Sequence, residues 1–354
     1  MVIAASLEVE HGVENLWKQG RSSGFKPFPN YGQYIPANYF KAFMSGFPFL
    51  WADRKYWYRA KDDIPWDMFL PFVHHYNESR RQLLKVTYLM LDESMSAWCP
   101  KTTKTGGLPN ITFEPRKPVE LGTMIRNGVD CISGIFVHHD VVQEAAAQSD
   151  KKYVGEKSHM PKKEPIPVHI AEVLRQCEGS GLIRGGWVGG DAWFGLVATC
   201  VELRKRKEIF STFIVKQNVG YFPKSVLHSI LLARYPKRPA GHWAVMKATI
   251  SGVDIFIMAY AWSQKGIAYM VSSCGKTVRH ETPYRTKFDD GFGNVDYREL
   301  PRPAVAHFLY EFLPLIDEHN KTCQNALALE KCWLTKDPLL QSDLGTVVVL
   351  RCSS

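Results

Sequence analysis

The chain has 354 residues, of which 45% are hydrophobic, and such a chain can bury a sizeable core. This composition excludes a disordered protein and favours one large domain with one or two smaller parts. Lys and Arg number 44 against 35 Asp and Glu, and the resulting formal charge of +9 favours a polyanionic partner such as nucleic acid. Charge alone identifies no partner, because many basic proteins bind no nucleic acid.

The eight cysteines are scattered, with no CxxC pair and no zinc-finger spacing, and they are predicted to be reduced thiols. The N-terminal segment lacks a basic stretch followed by an apolar one, so we expect neither a secretory nor a mitochondrial signal. The longest apolar run, Val253 to Trp262, contains Asp254 and is too short to cross a bilayer. We therefore expect a protein of the cytosol or the nucleus, with no membrane partner.

The part of the chain before the first long strand is predicted to consist of a loose segment followed by a helical subdomain. Residues 1–36 are rich in Gly, Pro and polar residues and are interpreted as a loose segment. Residues 37–81 contain aromatic-rich stretches whose apolar residues recur every three or four positions, which predicts a small helical subdomain. Residues 83–93, LLKVTYLMLDE, then predict a strand that ends in Asp92 and Glu93.

Two more strands are expected after a loop rich in Gly, Pro and Lys. Residues 121–130 and 131–143 alternate as strands do, and Asn127-Gly128 and the following Asp130 offer turn chemistry between them. The three strands would form a meander.

A second strand that ends in an acid follows. Residues 144–167 are polar, charged and non-periodic, and are interpreted as an exposed insertion or flexible loop. Residues 168–181 have helical spacing, residues 182–191 resemble a strand that stops at Asp191, and residues 193–207 return to helical spacing. The chain thus passes twice from a strand to an acid and then changes direction.

The last part of the chain combines strands with a long helical segment. Residues 208–273 are predicted to be mostly strands, and residues 283–303 form a Gly-containing loop that includes Asp296. Residues 304–333 have clear helical periodicity, interrupted at Pro314. Asp296 is therefore a third acid, at the entrance to a helical segment.

Acids at the ends of strands and helices can bring distant parts of a chain together around divalent cations. Carboxylate oxygens are the hard ligands that Mg²⁺ and Mn²⁺ prefer. Two such ions can carry out phosphoryl transfer, one activating a nucleophile and the other stabilising the leaving oxygen. With 35 acids in 354 residues, acids at strand ends also arise by chance, so spacing alone does not establish such a site.

Four blocks of sequence, in order, resemble piggyBac-type transposases. LMLDESMSAWCPKTTKTGGLPNITFEPRKPVELGTMIRNGVD is similar to the family's first catalytic block, an acid in an xDExM strand followed by a PxKPxxxG loop. GGWVGGDAWFGLVATCVEL resembles the second block, GIAYMVSSC the strand before the last acid, and GFGNVDYRE the GGVDxxD block. The resemblance covers roughly residues 40–335.

The resemblance implies an α/β fold with an RNase H-like catalytic core and a mostly β insertion between the second and third catalytic acids. A small helical subdomain would precede the core. The implied parts are a core in two pieces, 82–207 and 281–335, an insertion at 208–280 and a C-terminal tail at 336–354. By carry-over, the catalytic residues would be Asp92, Asp191, Asp296 and Glu299, and the first three would hold two Mg²⁺ or Mn²⁺ ions.

Two basic segments are candidate DNA contacts. The first lies in the loop beside the first acid and consists of Lys101, Lys104, Arg116 and Lys117. The second lies at a predicted helix end and consists of Arg204, Lys205, Arg206 and Lys207. This second run could also be a nuclear-import signal or simply a solvated face favoured by the helix dipole.

Two other features have both a functional and a structural interpretation. His138-His139-Asp140 could bind a metal, but a polar strand end is the favoured interpretation because no partner ligands lie at suitable spacing. Trp187 and Trp193 bracket Asp191 and could stack on an unpaired base, although aromatic residues beside a strand end are more often core.

Two functions follow from these observations. The first is a DNA transposase that cuts and joins double-stranded DNA, expected to be a homodimer in the nucleus. The second is a transposase-derived protein that binds DNA or acts as a scaffold without catalysis. The three acids favour the first, and the expected lack of a Cys-rich C-terminal module favours the second.

Overall fold

The structure is a computed structural model, and it describes residues 35–39, 70–97, 112–117, 120–216, 219, 222–236, 240–263, 266–289 and 295–321. The helices of eleven or more residues are α1 (Leu70–Leu83), α3 (Val168–Gly179), α4 (Val197–Lys207) and α5 (Lys224–Arg234). Shorter helices are α2 (Ala145–Ser149), α6 (Ala304–Phe312) and α7 (Leu315–Lys321). The strands are β1 (Tyr88–Ala97), β2 (Thr112–Phe113), β3 (Leu121–Asp130), β4 (Phe136–Val141), β5 (Trp187–Gly190), β6 (Phe210–Ile214), β7 (Trp243–Ile250), β8 (Val253–Ala261), β9 (Ile267–Ser272), β10 (Tyr284–Asp289) and β11 (Val295–Leu300).

A nine-stranded mixed sheet organises the chain in the order β2-β3-β1-β5-β6-β9-β8-β7, with β4 also paired to β3. Strands β1, β5 and β6 are parallel neighbours in its centre, and antiparallel strands flank them on both sides. The parallel strands are connected through α3 and α4, as parallel neighbours require a crossover. Strands β10 and β11 form a separate two-stranded sheet. The chain is therefore α/β, as expected.

Side chains alternate across the sheet and form two cores. Leu89, Leu91 and Val188 belong to one buried cluster, which includes residues of α3 and α4. Met90 lies in the other cluster, with residues of α6 and α7, among them Ile316. Because successive strand residues point to opposite faces, β1 contributes to both cores and is fixed from both sides.

The predicted meander of β1, β3 and β4 is confirmed, but its turn is not at Asn127-Gly128. Both residues lie inside β3, where the Asn127 amide donates to Ser94 Oγ at 2.8 Å. The turn instead follows Asp130, whose Oδ2 accepts hydrogen bonds from the amide and the hydroxyl of Ser133 at 2.8 and 2.6 Å. Asn127 is satisfied by tertiary partners, so its local turn preference is overridden.

The prediction that residues 144–167 form an exposed insertion or flexible loop is wrong for part of the segment. Tyr153 and Ile166 are 8% and 1% exposed and belong to the core cluster on the α3 side. The segment also contains α2 and a bridge between Lys157 and Pro165. Although the segment is mostly polar, Tyr153 and Ile166 pack in the core and fix the segment there.

Residues 208–280 do contain mostly strands, but their strands β6, β9, β8 and β7 continue the central sheet. The segment also contains α5, a helix that strand-like patterning did not predict. Leu227 and Leu231, four residues apart, are fully buried on its inner side. This spacing is the helical signal in the sequence.

The predicted helical subdomain at 37–81 lies mostly outside the described residues. Within it, helix α1 begins at Leu70 and docks on β4 through Asn77, whose side chain bonds both backbone polar groups of His139 at 2.8 and 2.9 Å. The predicted break at Pro314 is confirmed, because it separates α6 from α7. Cys131, Cys177, Cys200 and Cys274 are free thiols. In the described residues, no helix has the length and apolarity needed to traverse a bilayer.

We expect Gly195→Ala to destabilise the fold strongly. A Cβ at Gly195 would lie 1.7 Å from the backbone carbonyl oxygen of Ile214, so β6 or the start of α4 would have to move. The loss should be several kcal/mol, roughly at the upper end of single-substitution effects, and urea denaturation followed by circular dichroism measures it.

Gly275→Ala is the matched control, because its Cβ would lie 3.4 Å from a ring carbon of Phe256, an ordinary contact. We expect it to change stability by less than about 1 kcal/mol. Equal midpoints for the two variants would contradict the close approach at Gly195.

Candidate active site at the ends of the parallel strands

The first two predicted acids lie beside each other in the sheet. Leu91 of β1 is in register with Gly190 of β5, and in each strand the next residue is an acid, Asp92 or Asp191. The parallel pairing stops there, while β1 continues past Asp92 to Ala97 by pairing with β3. Asp92 is thus inside a strand and not at its exit, and it marks the place where the parallel part of the sheet ends.

Asp92 is held in a largely buried position. Its residue is 9% exposed, and its Oδ1 accepts a hydrogen bond from the Glu93 amide at 2.7 Å. The pKa of Asp92 is raised to about 7, first by burial and also by the nearby charges of Asp191 and Asp317, while the amide of Glu93 and the charge of Lys117 oppose the shift. A carboxyl with this pKa lacks sufficient compensating positive charge.

Asp191 begins the turn that leads from β5 to α4. Its Oδ1 accepts a hydrogen bond from the amide of Trp193 at 2.9 Å, the side-chain bond of an Asx turn. Burial raises the pKa of Asp191, Glu93 adds to the shift, and Arg126 and Lys216 oppose it. Neither Asp92 nor Asp191 has a hydrogen bond at Oδ2 within the described chain, so each could offer that oxygen to a cation.

A second acid whose charge acts on Asp92 is Asp317, which is not among the residues predicted from the sequence. Asp317 lies in the first turn of α7 and follows Ile316, which is fully buried in the same cluster as Met90. Met90 and Asp92 share a face of β1, because they are two residues apart. Helix α7 therefore packs on the face of the sheet to which Asp92 belongs. The sequence signal for this site was the acid pair that begins three residues after the helix break at Pro314.

The structure does not join Asp296 and Glu299 to this site. Both lie on β11, in the two-stranded sheet, where Phe288 opposes Asp296 and Arg285 opposes Glu299. The Asp296 side chain is 70% exposed, and its ion-pair partner is Arg298 at 3.4 Å. The predicted Gly-containing loop is in part a strand, because the backbone of residues 295–300 pairs with β10. The expected convergence of Asp296 with the other two acids is thus absent from the described residues.

A buried arginine on the opposite face of the sheet from Asp92 supports the turn at Asp191. Arg126 is 5% exposed, is paired with Glu93, and places its Nε 3.3 Å from Glu172 of α3. Its guanidinium carbon lies 3.8 Å from the ring centroid of Trp193. Burial raises the pKa of Glu172 to about 7, while the charge of Arg126 opposes this shift. Because Trp193 donates the backbone bond to Asp191, Arg126 stabilises the turn that positions Asp191.

We expect Arg126→Met to be strongly destabilising at neutral pH. The substitution leaves Glu93 and Glu172 without their shared cation, and removing one partner of a buried ion pair costs about 3–5 kcal/mol. Chemical denaturation measures the loss.

Arg184→Met is the control, because the Arg184 side chain is 82% exposed and its pair with Glu208 at 3.4 Å is open to solvent. An exposed pair contributes about 0–1 kcal/mol. A loss for Arg126→Met no larger than that of the control would contradict the structural role of Arg126.

A buried polar network lies next to Asp92 on the antiparallel side. Asn127 is directly opposite Asp92 in the register, and it bonds Ser94 at 2.8 Å and His139 Nδ1 at 2.6 Å. Asn77 of α1 holds the backbone of His139. The network links α1 to the strand that carries Asp92. Sequence patterning missed it because its residues are 12 to 62 positions apart.

The basic residues predicted to contact DNA are placed differently from one another. Lys101 and Lys104 lie outside the described residues. Arg116 is exposed, whereas Lys117 Nζ lies 3.6 Å from a carboxylate oxygen of Glu93, beside the acids. Lys117 is thus already an electrostatic partner of the candidate site.

The second basic run ends helix α4 and is partly used inside the fold. Arg206 pairs with Glu202 and Glu156 at 2.8 and 2.5 Å, and Lys207 pairs with Glu178 at 3.5 Å. Arg204 donates to the backbone oxygen of Glu208, at the helix end, at 2.7 Å. Lys205 is exposed. Most of this run therefore has a structural role.

The remaining alternatives are also decided by their contacts. Asp140 pairs with Lys151 and Arg175 at 2.7 and 3.0 Å, and burial lowers the pKa of His138 to about 4. These contacts favour a structural polar strand end over a metal site. Trp187 is 5% exposed and donates to Thr212 Oγ1 at 3.1 Å, so it is core.

The carboxylates fit a divalent cation by their chemistry, with one limit. Asp92 and Asp191 offer hard oxygen donors on two rigid neighbouring strands, and their mutual charge raises the pKa of Asp92. Within the described residues, no group of three His, Cys, Asp or Glu side chains is close enough to hold a metal ion. Two candidate ligands therefore lie on neighbouring strands, and a metal site would need a third carboxylate to approach them.

Comparison with known proteins identifies the fold. No family model matches the chain, and no curated protein matches it. The chain is similar to a solved structure described as a piggyBac transposase synaptic complex with hairpin DNA, with a TM-score of 0.54 and 12% identity. The match covers 85% of this chain and 55% of that one, so the chain spans about half the length of its structural neighbour. The chain therefore has a piggyBac transposase-like fold.

Proposed function

We propose that this chain is a DNA-cleaving and strand-transferring protein of the piggyBac transposase type. The observation that carries the proposal is the pair Asp92 and Asp191, side by side where the parallel pairing of β1 and β5 ends, with the pKa of Asp92 raised to about 7. Perturbed carboxyls of this kind are typical of sites where charge is arranged for catalysis. The structural neighbour adds support, because it is a transposase bound to hairpin DNA.

Asp92 and Asp191 would hold Mg²⁺ or Mn²⁺, and Asp317 would supply the third carboxylate in place of Asp296. Metal ions at such a site activate the attacking oxygen and stabilise the leaving oxygen of an in-line displacement. The chain's own contribution is to fix the two carboxylates by backbone hydrogen bonds from Glu93 and Trp193. Arg126 packs on the ring of Trp193 and so would stabilise the turn that positions Asp191.

Double-stranded DNA would approach the edge of the sheet that carries these acids. Lys117 and the exposed Arg116 would contact phosphates there, together with Lys101 and Lys104 of the same loop. In the second run only Lys205 is exposed, so that run would contribute less. A homodimer located in the nucleus completes the proposal, as the resemblance implies.

A transposase-derived protein that binds DNA without cutting it is the second candidate. One observation favours it: within the described chain the third metal ligand is not in place, because Asp296 is exposed on β11. Such a protein would keep the basic loop and the fold while lacking a functional metal site.

The two functions are separated by one assay on the purified full chain. End-labelled duplex and hairpin DNA are incubated with the protein in Mg²⁺, in Mn²⁺ or in EDTA, and the products are resolved on a denaturing gel. We expect nicks that form in both metals and disappear in EDTA. Salt-dependent binding of both DNAs without any cleavage would support the second candidate instead.

A further inference from the structure

A cavity lined by aromatic rings and one cation lies away from the acids. It has a volume of about 270 Å³, and its lining residues are Trp262, Tyr284, Arg302 and Tyr310. Three separate parts of the chain meet there: the end of β8, the start of β10, and α6 with the residues before it.

Within the part of the chain that the structure describes, Arg302 is a buried cation with no carboxylate partner. Its residue is 8% exposed, and no Asp or Glu of the described chain pairs with it. The guanidinium carbon lies 3.9 Å from the ring centroid of Tyr284 and 5.1 Å from that of Tyr310, and Nε has no hydrogen-bond partner. A buried charge without a counter-ion is costly, so an anionic group in the cavity would stabilise it.

Trp262 provides a fixed and accessible aromatic surface. A Cβ at Gly266 would lie 2.4 Å from the indole, so the ring packs directly on the glycine backbone, and the Trp262 amide donates to the Gly266 carbonyl at 3.1 Å. Even so, Trp262 remains 47% exposed. An indole held in place with half its surface open is suited to stacking on a flat ring.

The cavity lies at the same edge and on the same face of the sheet as Asp92. The registers place Leu91, Gly190, Phe213, Val271 and Ile257 in one row across five strands, so Asp92 lies level with Met258 of β8. Strand β8 runs parallel to β1, and Trp262 is four residues beyond Met258. Four strand spacings and four residues of rise separate Trp262 from Asp92 by roughly 20–25 Å.

We propose that this cavity binds an unpaired nucleobase of DNA, stacked on Trp262, with the neighbouring phosphate directed toward Arg302. The proposal rests on the proposed function, which makes DNA the ligand. A nucleotide matches the lining because it joins a flat ring, which can stack on Trp262, to a negatively charged phosphate. A cationic ligand would be repelled by Arg302. The separation from Asp92 is about six or seven base pairs of duplex, so DNA cut at the acids could place a distorted nucleotide here.

The test uses the full chain with a DNA hairpin that carries 2-aminopurine at an unpaired loop position, and a fully paired duplex with the same label. Wild type should quench the unpaired base and bind the hairpin more tightly than the duplex. Trp262→Ala should abolish the quenching and weaken hairpin binding by about five-fold or more, while duplex binding changes by less than about two-fold. Arg302→Gln should weaken hairpin binding and reduce its salt dependence.

Tyr297→Ala is the matched control, because Tyr297 is 55% exposed, stacks with Arg285 at 4.5 Å and does not line the cavity. It should bind and quench as wild type does, and thermal melts should show that every variant is folded. Equal losses for hairpin and duplex, or quenching that survives Trp262→Ala, would overturn the inference. If metal-dependent cleavage is observed but Trp262→Ala has no effect, only this inference fails; absence of DNA binding by wild type defeats both it and the proposed function.

Discussion

Asp92→Asn and Asp191→Asn should each reduce Mg²⁺-dependent DNA cleavage by on the order of 10³-fold or more, while the proteins remain folded. An amide has no negative charge and is a poor ligand for a hard cation, so each change removes one of the two carboxylates already in place. The measurement is the rate of strand cleavage at saturating protein, on the DNA that wild type cuts. Because the residues act as a unit, the double variant should be scarcely worse than either single one.

The same assay distinguishes the third acid. Asp317→Asn should lose activity as the first two variants do, because Asp317 is the acid of the C-terminal helices whose charge acts on Asp92. Asp296→Asn is the matched control, an identical chemical change at a side chain that is 70% exposed on β11. It should retain activity within about three-fold of wild type. Loss of cleavage in Asp296→Asn with full activity in Asp317→Asn would contradict this arrangement.

Asp92→Asn should also stabilise the metal-free protein at alkaline pH. The pKa of Asp92 is raised from 3.8 to about 7 in the folded protein, so between these values the native state binds the proton that the unfolded state has lost. The free energy of unfolding of wild type therefore falls as the pH rises from about 4 to about 7. Above about pH 7 Asp92 is ionised in both states, and this loss does not increase further. An amide carries no such penalty, so the gain should reach at most about 4 kcal/mol at pH 8 and vanish near pH 4.

Urea denaturation in EDTA at pH 4, 6 and 8 measures this gain. Asp254→Asn is the control, since a hydrogen bond from Lys247 lowers the pKa of that exposed carboxyl, a shift of opposite sign. It should show no gain at pH 8. A constant difference between Asp92→Asn and wild type at all three pH values would show that Asp92 is not a strained carboxyl in the folded protein.

The first half of the site could be predicted from local sequence, and the second half could not. Asp92 and Asp191 follow apolar runs of strand character, and parallel strands bring such positions to one edge of a sheet. Asp317 was missed because its approach depends on how α6 and α7 fold back on the sheet, which is set by tertiary packing of residues such as Ile316. The Val295-Asp296 pair matched the family block in letters, yet its backbone pairs with β10 as part of a strand.

Buried polar residues were the other class that sequence patterning did not identify. Arginine is a residue type that is usually exposed, but two carboxylates and an aromatic ring enclose Arg126. Asn127 suggested a turn and instead joins two strands through its side chain. Helix α5 was predicted as part of a strand region because a short apolar run does not distinguish helix from strand. In each case partners distant in sequence decide the outcome.

Calorimetric titration of the metal-free protein with Mn²⁺ tests most directly whether these acids form a metal site. The titration is made at pH 8, where Asp92 is ionised, on wild type, Asp191→Asn, Asp317→Asn and Asp296→Asn. We predict saturable binding by wild type and Asp296→Asn, and binding at least about ten-fold weaker in Asp191→Asn and Asp317→Asn. Two results would contradict a metal site at Asp92, Asp191 and Asp317. In the first, wild type binds Mn²⁺ and neither Asp191→Asn nor Asp317→Asn weakens the binding. In the second, only Asp296→Asn abolishes the binding.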